Sequence, residues 1–278
     1  RFMLDGDQAV RADSFRVHVR DRAGNVLDTS LNGVREMPAE VLKLVSDSAA
    51  PELTVSFSND DVRNGRFFNA GRTAWFTVQE ANFSFIQEYD PDQIIASMTE
   101  DGRTQVIRAR DLQLIGDATW QAQHAFATDA ECAVEAQVAD LAGKASERFS
   151  TSFVIDATPP VLDVVFADGE QLVNGAYSPR GRAAMVTVRE QWFSADLIHL
   201  DLISEADHAG QSAPAQASAW ADEGDAHVCT VTFPGPGAYA LSISGTDQAL
   251  NALSDYACPL FTVDAQAPQI SVQVAGEE

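Results

Sequence analysis

The chain has 278 residues, 45% of them hydrophobic, and a formal net charge of −23. That length suits about two domains with cores of their own, and the acidic balance argues against nucleic acid or anionic membrane as partners, because holding phosphates takes clustered Lys and Arg. No apolar run approaches the roughly 18 residues of a membrane span, and no signal-peptide pattern opens the chain.

Near the start, Phe15, Val17 and Val19 alternate with other residues ahead of Asp21-Arg22-Ala23-Gly24-Asn25. Strand side chains point alternately to opposite faces, so this stretch reads as a strand running into a turn. The pattern returns twice further on, and residues 1–47 are therefore expected to be the C-terminal part of a truncated repeat. Asp47-Ser48-Ala49-Ala50-Pro51 closes it and opens the next strand, where Leu53, Val55 and Phe57 alternate with polar residues. Asn64-Gly65 follows, a pair suited to the positive φ of a tight turn. The next strand sets Ala74, Phe76 and Val78 on one face and Trp75, Thr77 and Gln79 on the other. It ends in Glu80-x-x-Phe83-Ser84, with Phe83 expected to plug one end of a sandwich. A longer loop, Glu88-Tyr89-Asp90-Pro91-Asp92, leads to Ile94-Ile95. Val134, Ala136 and Val138 then precede the turn Asp140-Leu141-Ala142-Gly143-Lys144, and Phe153-Val154-Ile155 brings the first complete repeat, residues 48–156, to its end at Asp156.

Residues 157–264 run through the same plan. Residues 64–84 and 174–194 match at ten of twenty-one positions with no gap, and Phe67 faces Tyr177. Leu162 and Val164 open the copy, Asn174-Gly175 turns it, and Ala184, Val186 and Val188 share a face ahead of Glu190-x-x-Phe193-Ser194. Ile198, Leu200 and Leu202 come almost at once, without the longer loop. Leu241 and Ile243 lead into Asp247-Gln248-Ala249-Leu250-Asn251, and Phe261-Thr262-Val263 ends at Asp264. The junctions Asp156-Ala157-Thr158-Pro159-Pro160 and Asp264-Ala265-Gln266-Ala267-Pro268 echo the one at Asp47, with 109 and then 108 residues between their aspartates. A period of about 100 residues is the size of an immunoglobulin-like sandwich, far above that of a solenoid repeat. Residues 265–278, with Ile270, Val272 and Val274, are expected to be the first strand of a following repeat. The fold expected is all-β: tandem immunoglobulin-like Greek-key β-sandwiches of about 108 residues each, held as a rod by linkers whose prolines keep the chain extended.

Asp-x-Ala-Gly-Asn ahead of a last strand, then an apolar strand ending in Asp and a Pro-led first strand, resembles the Ig-like repeats of bacterial cell-surface proteins. The resemblance covers the chain from about Phe15 onward. The turn motif is complete at Asp21–Asn25, ends in Lys144 in the first full repeat and has Leu250 in place of Gly in the second. Such modules are tandem sandwiches in adhesins, stalks and cell-wall-attached multidomain enzymes. The resemblance implies an extracellular bacterial protein of the cell surface or cell wall, in which these repeats are non-catalytic spacers presenting a distal functional domain. Their partners would be the neighbouring Ig-like repeats of the same chain. One alternative is an adhesin module that contacts a host or cell-wall ligand through the variable loops 85–93 and 204–219. A second is an accessory carbohydrate-binding part of a secreted glycosidase.

No Gly-x-Ser-x-Gly elbow, His-Glu-x-x-His pair or phosphate loop is present, and His18, His124, His199, His208 and His227 fall at non-equivalent positions. Neither enzymatic activity nor a cofactor is expected on that basis. Topology suggests one constellation. In such a sandwich the loop after the second strand, the loop before the last strand and the incoming linker share a pole. Asp47, Glu80 and Asp140 would gather at one junction and Asp156, Glu190 and Asp247 at the next. Crowded carboxylates repel unless a cation sits among them, and calcium is the natural candidate. The simpler alternative gives each acid a local role: capping its own turn, accepting backbone N–H groups, or pairing with Arg72 or Arg182. Trp75, Trp120, Trp192 and Trp220 are read as packing residues, since Trp75 aligns with Met185 and Trp192 with Asn82. Cys132, Cys229 and Cys258 read as isolated thiols, with a Cys229–Cys258 disulfide as the alternative. Lys43 and Lys144 stand at non-equivalent positions, so Lys–Asn cross-links are not expected.

Overall fold

Strands predominate wherever the apolar alternation predicts them. The structure, a computed structural model, describes residues 8–10, 18–20, 22–23, 26–28, 44–167, 169, 171–206 and 213–272. The chain divides into two compact units. The first takes Arg1–Ser58, Thr73–Ala125 and Ala133–Thr151; the second takes Asn59–Arg72, Phe126–Cys132 and Ser152–Glu278.

In the first unit, Gln8–Val10 pairs antiparallel with Leu44–Ser46, and His18–Arg20 pairs antiparallel with Val26–Asp28, flanking the predicted Asp21–Asn25 turn. Phe15 and Val17 lie outside the described residues. Glu52–Phe57 runs antiparallel to Arg72–Gln79, with Glu52 opposite Gln79 and Phe57 opposite Ala74. That pair belongs to a four-stranded sheet ordered Gln113–Gly116, Thr119–Phe126, Arg72–Gln79, Glu52–Phe57. The first complete repeat, residues 48–156, also carries a five-stranded sheet ordered Phe67–Phe68, Phe149–Ile155, Ala130–Ala136, Ile94–Glu100, Arg103–Arg108. Ala74, Phe76 and Val78 are fully buried while Gln79 is exposed, the alternation expected of a strand with one face on a core.

The loop expected at 85–93 is in large part a helix, Phe83–Tyr89. Phe83 and Ile86, three residues apart, lie on one face of it and are buried. Phe83 packs on the Trp120 ring at 5.1 Å, so the predicted plug is the first residue of a helical turn. The second repeat has only a 3-10 turn, Ala195–Leu197, at the same place.

In the second unit one sheet is ordered Val161–Phe166, Arg182–Arg189, Ala226–Phe233, Gln216–Ala217, and Ala221–Glu223 also pairs with Ala226–Phe233. The other is ordered Tyr177–Ser178, Tyr256–Val263, Gly237–Gly245, Ile198–Glu205. The two sheets enclose one core: Phe166, Ala184, Val186, Val231 and Phe233 from the first meet Leu241, Ile243, Phe261 and Val263 from the second. This unit is a β-sandwich. In each repeat a two-residue edge strand runs parallel to the last long strand, Phe67–Phe68 beside Val154–Ile155 and Tyr177–Ser178 beside Thr262–Val263.

Local chemistry explains why these elements start where they do. Asn64 and Gly65 sit at φ 41° and 81°, and Asn174 and Gly175 at 51° and 74°, the left-handed pair that a tight turn needs. Arg72 and Arg182 are buried at the first position of their strands. The Arg72 guanidinium lies over Phe68 and Phe153 at 3.9 and 4.6 Å, and that of Arg182 over Phe166 and Phe261 at 4.1 and 5.1 Å. Each donates to a loop carbonyl at 2.6 Å, Arg72 to Asn59 O and Arg182 to Gly169 O. Residues 265–272, expected to begin a further strand, carry no ladder, and Ile270 is 89% exposed. A strand requires a partner for its N–H and C=O groups, and among the described residues none lies beside this stretch.

Candidate metal centre

Each complete repeat builds the same turn before its last long strand. Asp140 N–H donates to Lys144 O, and Lys144 N–H donates to Asp140 Oδ1, both at 2.8 Å. Asp247 makes the same exchange with Asn251 at 3.1 and 2.9 Å. Both aspartates therefore cap their own turns, one of the local roles open to them. Glu80 and Glu190, each just past the end of a strand, accept the N–H two residues on, from Asn82 at 2.7 Å and Trp192 at 2.9 Å.

The residue four beyond the turn aspartate reaches back to the linker. Asn251 Nδ2 donates to Asp156 O at 2.9 Å and to Asp247 Oδ2 at 2.8 Å. In the first repeat that residue is Lys144, whose Nζ donates to Asp47 O at 3.1 Å. The Asp47 carboxylate accepts Asn82 Nδ2 at 3.3 Å. One repeat thus fastens its linker with a neutral amide and the other with an ammonium.

The two expected clusters then part company. Asp156, Glu190 and Asp247 each bring one carboxylate oxygen to within 4.8 Å of the others. Among the described residues, Asp47, Glu80 and Asp140 form no such set. Asp156 is 1% exposed and Asp247 is buried, while Glu190 is half-buried. Asp156 Oδ2 has no hydrogen-bond partner. Asp140 Oδ2 also lacks one, but the carboxylates of Asp47 and Glu80 do not converge on it. A buried charged oxygen without a partner costs at least about 1–3 kcal/mol.

Burial pushes the Asp156 carboxyl up to about 7, helped by the negative charges of Asp247, Glu190 and Asp129 and opposed by the Thr158 N–H. Burial also raises Glu190, with Asp247 and Asp129 adding to it and the Trp192 and Gln191 N–H groups offsetting part. The charges that act on Asp156 are all acidic. Asp129, which sequence reasoning missed, comes from the loop before Ala130–Ala136, and its Oδ1 accepts Ala157 N–H at 2.8 Å. The only sequence cue for it was an acid in a loop, a signal shared with many exposed carboxylates.

The other candidate residues are held in packing roles. Arg72 pairs with Asp60 at 3.1 Å. It opens the eight-residue strand that Glu80 follows, which puts roughly 25 Å between them; Arg182 stands in the same relation to Glu190. Of the local roles open to the pole acids, pairing with these arginines is thereby set aside. Trp192 packs edge-on against Phe67 at 6.3 Å beside Val154 and Ala249, and Trp220 against Phe193 at 5.2 Å. Trp75 Nε1 donates to Gln123 Oε1 at 3.0 Å. His227 stacks on Phe193 at 4.0 Å with both ring nitrogens engaged, Nδ1 on Asp222 Oδ1 and Nε2 on Glu190 O. Cys229 and Cys258 are not joined: they are thiols on different sheets, and burial pushes the Cys229 thiol up.

No protein-family model matches the chain, and no curated protein matches it.

Proposed function

We propose that the chain is a non-catalytic scaffold of tandem Ig-like sandwiches, a spacer in a bacterial extracellular surface protein that presents a functional domain to its surroundings. The observation that carries this reading is the strand order. Set aside the edge strand Tyr177–Ser178, and count Gln216–Ala217 and Ala221–Glu223, which both pair with Ala226–Phe233, as one interrupted strand; the second repeat then places its first, second, fifth and fourth strands on one sheet and its third, sixth and seventh on the other. That is the order of a constant-type immunoglobulin domain. The first repeat follows it with one added strand, Arg103–Arg108, beside its third. The fastening of the linker supports a spacer further, since Asp156 O and Ala157 N–H are both hydrogen-bonded within the second unit.

The test is a binding screen of the full chain, immobilised and exposed to a glycan array, purified cell-wall polymer and extracellular-matrix proteins. A spacer gives no saturable signal. Saturable binding at micromolar concentration or below, removed by changes in residues 85–93 or 204–219, would replace this reading with adhesion. Adhesion has an observation of its own: Leu114 and Ile115, neighbours on an edge strand of the first repeat, are 60% and 58% exposed. Binding confined to the glycan array would favour the carbohydrate-binding alternative.

A further inference from the structure

We propose that Asp156, Glu190 and Asp247 bind one hard divalent cation of the calcium class. Two independent observations point to a ligand. Three carboxylate oxygens converge to within 4.8 Å of one another. One of the contributing groups, Asp156, is 1% exposed yet leaves Oδ2 with no hydrogen-bond donor.

The geometry suits calcium. Two oxygens bound to one calcium at about 2.4 Å stand no more than about 4.8 Å apart, a bound that every pair of the three oxygens meets. The set holds only oxygen donors, which selects a hard cation over zinc or copper. Calcium accepts irregular coordination completed by water, whereas magnesium demands a near-regular octahedron. Every charged group acting on Asp156 is acidic, Asp129 included, so the ion would meet a field of one sign. Nitrogen donors reach part of the cluster: Asn251 N–H and Nδ2 take the two Asp247 oxygens, and Trp192 N–H takes Glu190 Oε1. Asp156 Oδ2 receives none, and His227 Nε2 goes to the Glu190 main-chain oxygen.

Comparing the repeats sharpens the assignment. The same turn position is Lys144 in one copy and Asn251 in the other, and both side chains donate to the main-chain oxygen of the linker aspartate. Where that position carries a positive charge, the three acids do not converge; where it carries none, they do. The site does not depend on the spacer reading, and its failure would leave the binding screen unaffected.

The experiment is titration of the full chain with calcium alone, followed by calorimetry and by thermal unfolding against a chelator-treated control. Terbium serves as a second probe, because Trp192 lies two residues from Glu190 and can sensitise its emission. The expected result is one saturable site with a dissociation constant on the order of 10⁻⁴–10⁻³ M. Calcium at ten times that value should raise the melting temperature by about 4 °C. Calcium should also displace the tryptophan-sensitised terbium signal. Asp247→Asn should abolish binding. Asn251→Lys, which copies the natural first repeat, should fold at least as well without metal and show no calcium response. No saturable binding up to about 10 mM calcium overturns the proposal. So does a calcium response that survives both Asp247→Asn and Asn251→Lys in variants that keep the native circular dichroism.

Discussion

Asp156 and Leu250 show how single residues carry strain in this protein. In chelator-treated protein the Asp156 carboxyl titrates near 7 in the folded state, against 3.8 for the ordinary group. Between those values the folded chain keeps a proton that the unfolded chain has lost. The group's contribution to stability is fully present below pH 3.8 and is lost as pH rises through about 7. Denaturant unfolding from pH 4 to pH 8 should therefore show a fall in stability that Asp156→Asn removes. An unchanged pH slope in that variant would show that Asp156 is not the group. Leu250 sits at φ 65°, where Gly143 of the other copy takes 87°. A left-handed conformation costs a branched residue about 1–2 kcal/mol, and Gly regains part of that through its larger unfolded-state entropy. Leu250→Gly should stabilise the protein by about 0.5–1 kcal/mol by chemical denaturation. A loss of stability would mean that the exposed Leu250 side chain makes contacts worth more than its backbone strain.

At the scale of elements, the second long strand of each repeat depends on a close backbone approach at its start. A Cβ at Gly181 would stand 2.9 Å from both Phe233 O and Pro234 O, and one at Gly71 would stand 2.9 Å from Phe126 O. These are main-chain atoms that cannot rotate away. Gly181→Ala should cost about 1–3 kcal/mol, read from the shift in denaturation midpoint. A neutral result would show that the 180–183 and 232–234 segments separate easily. The strands themselves were legible because Ala74, Phe76, Val78 and their counterparts at 184, 186 and 188 alternate cleanly. The helix Phe83–Tyr89 was not legible. Its sequence, with three aromatics and one Ile in seven residues, fits a loop, a strand end or a helical turn equally well. Burial of Phe83 and Ile86 on one side decides between them.

At the scale of the whole molecule, the second unit includes Asn59–Arg72 and Phe126–Cys132 together with the second repeat. Phe67 packs on Trp192, and Asn64 Nδ2 donates to Gln248 O at 2.7 Å. Residues 157–272 alone would lack both contacts and the Asp156 carboxylate. That fragment should melt at least about 5 °C below the second transition of the full chain, a shift worth on the order of 1 kcal/mol. Equal melting temperatures in a scanning experiment would show that residues 59–72 and 126–132 add nothing to the stability of this unit.

The sequence by itself determined the repeat, its period, the strand faces and the turns, because alternation and Asn-Gly pairs act within a few residues. It also named the six acids, since each stands at a strand end in a repeated motif. Only the tertiary structure decided which three converge. The same meeting of distant segments brings Asp129 close enough to act on Asp156 and Glu190. No local signal encodes such a meeting. Burial and charge act through space, so two copies of one motif end as two different poles.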